Sequence, residues 1–92
     1  MIVMMTEVPG ADAAFAEGMR QAGVLDEEQA ARGFRGHWSW VTGSGYRVVE
    51  LWDSREDCQA FAEGNFAPEL PPGAEIPPME FFELNFEVYR AK

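Results

Sequence analysis

The hydrophobic pattern of this chain changes period several times, and each change marks an element. Met1 to Thr6 (MIVMMT) is a short apolar run, as a strand buried on both faces requires. Pro9-Gly10 ends it. From Ala11 to Ala22 the period lengthens to that of a helix: Phe15, Met19 and Ala22 recur on one side, Asp12 stands where a cap is needed, and Gly18 is a weak point. Asp26 to Arg32 predicts a further short helical turn, with Asp26 and Gln29 in capping-box spacing and Gly33 as its stop. Phe34 to Thr42 and Tyr46 to Trp52 then read as two strands joined by the turn Gly43-Ser44. Ser54, with Asp57 three residues on, starts a helix that runs to about Phe66 and lines up Cys58, Phe61, Ala62 and Asn65. Ala67 to Pro78 carries Pro68, Pro71, Pro72, Pro77 and Pro78 and predicts a semi-rigid, non-helical surface loop. Glu80 to Tyr89 alternates Phe82, Leu84, Phe86 and Val88 with Glu83, Asn85 and Glu87, the pattern of a closing strand.

The order β-α-β-β-α-β is the ferredoxin-like α+β arrangement, here as a single domain over residues 1–92. Right-handed crossovers put both helices on one face of a four-stranded antiparallel sheet and leave the other bare. If Thr42 pairs with Gly45, one hairpin face carries Phe34, Gly36, Trp38, Trp40, Arg47, Val49 and Leu51. The other carries Arg35, His37, Ser39, Val41, Tyr46, Val48, Glu50 and Trp52. The first is the more apolar, which assigns it to the helices. The second keeps enough apolar surface to call for a cover, and a second copy in a two-fold homodimer is the simplest one.

Composition narrows the function. The chain has 92 residues, of which 47% are hydrophobic and 13% aromatic, more than a small monomer readily hides. Seven basic against sixteen acidic residues give a net charge of −9. That leaves no basic footprint for nucleic acid and disfavours an anionic membrane surface. Cys58 is the only cysteine, so no internal disulfide forms, and one histidine with one cysteine builds no familiar zinc or copper site. The start lacks a signal-peptide pattern and no apolar run reaches membrane-spanning length, which predicts a cytoplasmic protein.

The run Tyr46-Arg47-Val48-Val49-Glu50-Leu51-Trp52-Asp53-Ser54-Arg55-Glu56 resembles the strand-to-helix signature of antibiotic biosynthesis monooxygenase-like domains, in the dimeric α+β barrel superfamily. The resemblance extends from the first strand to Phe81-Phe82. It is strongest for small uncharacterised actinobacterial-type members, which share a histidine where His37 stands and a Pro-rich loop before the last strand. It implies a homodimer with facing sheets and a pocket for a small hydrophobic or aromatic molecule between sheet and helices. It also implies, for some members, oxidation of phenolic or anthrone-type polyketides by dioxygen with no metal, flavin or haem. The haem-degrading branch has a tryptophan where this chain has Phe61 and a ligating histidine where it has Pro71, so haem chemistry is not expected.

The candidate catalytic pair is His37 and Glu50, which face each other across the hairpin; a carboxylate can hold an imidazole in one tautomer and raise its basicity. The plain alternative is a polar cross-strand pair in an interface. Trp38, Trp40, Trp52 and Phe61 could hold a flat ring, or simply pack. Asn85 and Tyr46 could bind a substrate oxygen, or be surface and interface residues. Arg47 could pair with Asp53 or anchor an anion. Cys58 reads as a small buried hydrophobe. Cofactor-independent oxygenation, isomerisation or cyclisation on the same scaffold, and non-catalytic binding of a hydrophobic metabolite all remain open at this point.

Overall fold

The structure is a computed structural model that describes residues 1–91. Strand β1 (Ile2–Pro9) runs through the middle of a sheet ordered β2-β3-β1-β4. It is followed by helices α1 (Ala13–Gln21) and α2 (Val24–Gln29), strands β2 (Phe34–Val41) and β3 (Gly45–Trp52), helix α3 (Arg55–Phe61) and strand β4 (Glu80–Glu83). Every strand pairing is antiparallel, so this is the ferredoxin-like α+β fold, with α2 as a short addition.

Local chemistry accounts for the element ends. Asp12 Oδ1 accepts the Phe15 amide at 3.1 Å and Ser54 Oγ accepts the Asp57 amide at 3.1 Å, so both capped helices start where side chains satisfy free N–H groups. Gly33 has φ +80°, and a Cβ there would sit 2.2 Å from Asp57 Oδ2; the turn into β2 therefore admits little but glycine. The hairpin keeps the expected register: Thr42 N–H donates to Gly45 O at 2.8 Å, Val41 pairs with Tyr46 and His37 with Glu50.

Three expectations are corrected. First, the helices cover the opposite face of the hairpin from the one the apolar tally favoured. Trp52 is fully buried in the core with Met4, Val24, Cys58 and Phe61, while Trp38 and Trp40 are about half exposed on the bare face. Hairpin residues alone misjudge the balance, because β1 adds Met4, Thr6 and Val8 to the covered face and α2 brings a buried partner for its polar centre. A bulge between Phe34 and Gly36 also moves Phe34 to the covered side, where its ring meets Trp52 edge-on with centroids 5.4 Å apart. Second, β4 stops at Glu83. Ile2 is its last partner in the register and Leu84 N–H still donates to Met1 O at 3.0 Å, while Phe86, Val88 and Tyr89 lie exposed. Third, α3 ends at Phe61 and continues as a wider π turn (Ala62–Phe66) and a single 3-10 turn (Ala67–Glu69), so the first residues of the Pro-rich segment are helical after all.

Candidate functional site

Sheet and helices enclose a cavity with an apolar wall and a polar floor. Phe15 and Met19 of α1, Val24 of α2, Phe61 of α3, Phe66 of the π turn, and Ile76, Pro77 and Met79 of the Pro-rich segment make the wall. The enclosed space is small, ≈ 100 Å³. The Pro-rich segment is pinned over it by Thr6 Oγ1, which donates to Pro78 O at 2.8 Å.

The floor is a hydrogen-bonded cluster on β2 and β3. His37 Nδ1 lies 2.9 Å from Glu50 Oε2 and 2.8 Å from Glu28 Oε1, which descends from α2. His37 Nε2 lies 2.8 Å from Ser39 Oγ, and Ser39 Oγ lies 2.9 Å from the Tyr46 hydroxyl. Glu50 Oε1 accepts the Trp52 indole N–H at 3.0 Å. Residues 37, 39, 46, 50 and 52 share a face because side chains alternate along a strand and paired residues point the same way.

Two carboxylates against one imidazole nitrogen set the protonation of the floor. Burial, seconded by the nearby Glu50 carboxylate, pushes Glu28 up to about 8 against the pull of His37. Burial works to lower His37, but the hydrogen bonds and charges of Glu28 and Glu50 overcome it and hold the imidazole at about 9. Burial works to raise Glu50, yet hydrogen bonds from His37, Glu28 and Trp52 leave it below the ordinary carboxylate value. At neutral pH the cluster is thus a protonated Glu28, an imidazolium and a carboxylate, with no net charge. Beside it, burial and then the two glutamates push the Cys58 thiol up to about 12, which leaves it an inert hydrophobe.

Of the residues singled out in the sequence, His37, Glu50, Tyr46 and Phe61 meet at this cavity. Trp52 touches it only indirectly, through Glu50. Trp38 and Trp40 lie on the other side of the sheet, and Asn85 is exposed beyond the end of β4. Arg47 stands 3.8 Å from Glu7, while Asp53 is paired with Arg35 at 2.6 Å. Glu28 was missed. Its signal is the spacing from Val24: four residues on, along the buried side of a short helix, an acid takes the place of an apolar residue. One ligand atom from each of Glu28, His37 and Glu50 lies within 4.8 Å of the others.

No protein-family model matches the chain. No curated protein matches it either. Solved structures do. An MhuD mutant with two manganese protoporphyrin IX bound per active site is 25% identical, with a TM-score of 0.59 over 95% of this chain and 96% of that one. A protein of unknown function from Nitrosomonas europaea is 24% identical, with a TM-score of 0.63 over 99% and 92%. The heme-degrading protein of Mycobacterium tuberculosis, in heme-free form, is 24% identical, with a TM-score of 0.57 over 95% and 96%. These neighbours are consistent with the superfamily that the strand-to-helix signature resembles, and the chain carries their ferredoxin-like α+β fold.

Proposed function

We propose that the chain is a small-molecule enzyme of the oxygenase type, acting without a cofactor on an electron-rich aromatic or polyketide-like substrate. The observation that carries this reading is the unbroken hydrogen-bonded path from the Glu28–Glu50 pair through His37 and Ser39 to Tyr46, whose hydroxyl lies at the cavity. Tyr46 would hold a substrate oxygen, and the proton released from the adjacent C–H or O–H would pass through Ser39 to His37. The carbanion then gives one electron to dioxygen, the radical pair combines to a hydroperoxide, and loss of water leaves a carbonyl. A methylene and dioxygen become a ketone and water, so the atoms balance. The apolar wall keeps the anion away from bulk water. Homodimerisation through the bare sheet face belongs to the same reading.

The heme of the MhuD structures does not fit this floor. His37 is the only histidine in the sequence. Its Nδ1 is held by two carboxylates and its Nε2 by Ser39, so both nitrogens already have partners.

A relay that accepts a proton can return it to another carbon, so the geometry also supports an isomerase or cyclase. The test is aerobic turnover of a model anthrone, followed as quinone formation, for the wild type, His37→Ala and Tyr46→Phe. The reading expects a rate above background that falls at least about tenfold in both variants. It also expects the wild-type rate to climb with pH toward about 9, as neutral imidazole becomes available. Equal rates in wild type and His37→Ala would remove the relay from the mechanism. Turnover of a proton-transfer substrate without oxygen uptake would move the assignment to an isomerase.

A further inference from the structure

We propose that Glu28, His37 and Glu50 form a binding site for a divalent first-row cation of the manganese–iron type at the floor of the cavity. The inference goes beyond the proposed reaction and does not depend on it. His37 Nδ1 lies 2.8 Å from Glu28 Oε1 and 2.9 Å from Glu50 Oε2, and all three ligand atoms fall within 4.8 Å of one another. Neighbouring ligands of a six-coordinate ion with bonds of about 2.1 Å are about 3 Å apart, close to both of these distances. One nitrogen and two carboxylate oxygens on one side of an ion, with its other positions turned to a cavity, is a facial three-ligand arrangement; its oxygen-rich composition suits manganese or iron better than a thiolate-seeking metal.

The surroundings hold these ligands as those of a metal centre are held. When Nε2–H donates to Ser39 Oγ, 2.8 Å away, the imidazole is fixed with the Nδ1 lone pair turned toward the two carboxylates. Glu50 is oriented by the Trp52 indole N–H on its other oxygen, and Trp52 is locked in the core. Three lone-pair atoms then converge on one buried point, and something positive must stand between them. In the metal-free state protons do so, and that is the state whose chemistry is described above. A divalent cation with two carboxylates and a neutral imidazole is likewise uncharged overall, so it can take the protons' place without leaving a buried net charge. The ligands come from three elements, α2, β2 and β3, which is why no spacing in the sequence displays them.

The probe is Mn²⁺ added to chelator-stripped protein in the presence of excess Mg²⁺, with free Mn²⁺ read from its solution EPR signal. One tightly held Mn²⁺ per chain is expected. Glu28→Gln and Glu50→Gln should each weaken binding at least about tenfold, and Ser39→Ala, which removes only the anchor of Nε2, should weaken it without changing the stoichiometry. Asp53→Asn, the same carboxylate-to-amide change at the surface away from the cluster, should leave it unchanged. A second measurement needs only the wild type. His37 is the sole histidine, so one set of imidazole proton resonances reports the site, and substoichiometric Mn²⁺ should broaden that set selectively. No retained Mn²⁺, loss of it to Mg²⁺, equal binding in Glu28→Gln, or imidazole signals that stay sharp would each overturn the proposal. Neither readout requires turnover, so failure of cation binding and failure of the oxygenase reading are separate results.

Discussion

At the scale of single residues, the floor of the cavity ties stability to pH. In the unfolded chain Glu28 titrates near 4.5 and His37 near 6.5; folding raises them to about 8 and about 9. A group raised on folding contributes stability that is complete below its unfolded value and is lost as pH climbs through its folded value. Glu50 is lowered, so its contribution is present above 4.5 and disappears as acid protonates it. Thermal stability should therefore peak in mildly acidic solution, at about pH 5, and fall by several degrees between there and about pH 9. Glu28→Gln keeps a neutral amide beside Glu50 and should make that fall visibly shallower. Melting curves across the range decide it, and an unchanged slope in the variant would remove Glu28 from the cluster's titration. Half of this site was legible in the chain. The hairpin register put His37 opposite Glu50, because a two-residue turn fixes cross-strand partners. The contact of Glu28 with His37 was not, because the spacing from Val24 marks Glu28 as buried but says nothing of which strand residue it meets.

At the scale of elements, the turns and two of the three expected caps were readable; α2 instead starts after Gly23, with Asp26 inside its first turn. Asp12 and Ser54 cap the helices they were expected to cap, since those side chains compete for free amides wherever a helix starts. Gly33 is the sharper test of local design. Gly33→Ala must accept both a positive φ and a clash with Asp57, whose own amide belongs to the Ser54 cap. A loss of about 1–3 kcal/mol is expected in urea unfolding; a neutral result would mean that the β2 entrance and the start of α3 move apart freely. The length of β4 was not readable. Alternation from Phe82 to Val88 satisfies the pattern of a strand, but the pairing with β1 ends at Glu83, and backbone pairing leaves no mark on the alternation.

At the scale of the whole molecule, one side of the sheet stays uncovered. Trp38, Trp40 and Phe82 are each about half exposed there, beside the partly buried Val49 and Leu51. A contiguous apolar face of this kind is seldom left to water. The surplus of apolar surface was legible from the aromatic content, but which face carries it was not, because the choice rests on residues contributed by β1, α2 and the bulge. A Trp38→Lys/Trp40→Lys double variant should run as a monomer under conditions where the wild type runs as a dimer by light scattering, with its fold intact by circular dichroism. A monomeric wild type at micromolar concentration would remove the sheet-to-sheet dimer.

The cavity draws its walls from unequal sources. The catalytic candidates stand on central strands, where any shift disturbs the sheet, whereas Ile76, Pro77 and Met79 come from a segment outside regular structure, held to β1 by the Thr6–Pro78 bond. Changes of length or side chain in such a segment cost the fold little. Selection can therefore redraw the shape of acceptable substrates there while the proton-handling floor stays fixed, and a lineage of such proteins would diversify in what it takes in before it diversifies in what it does.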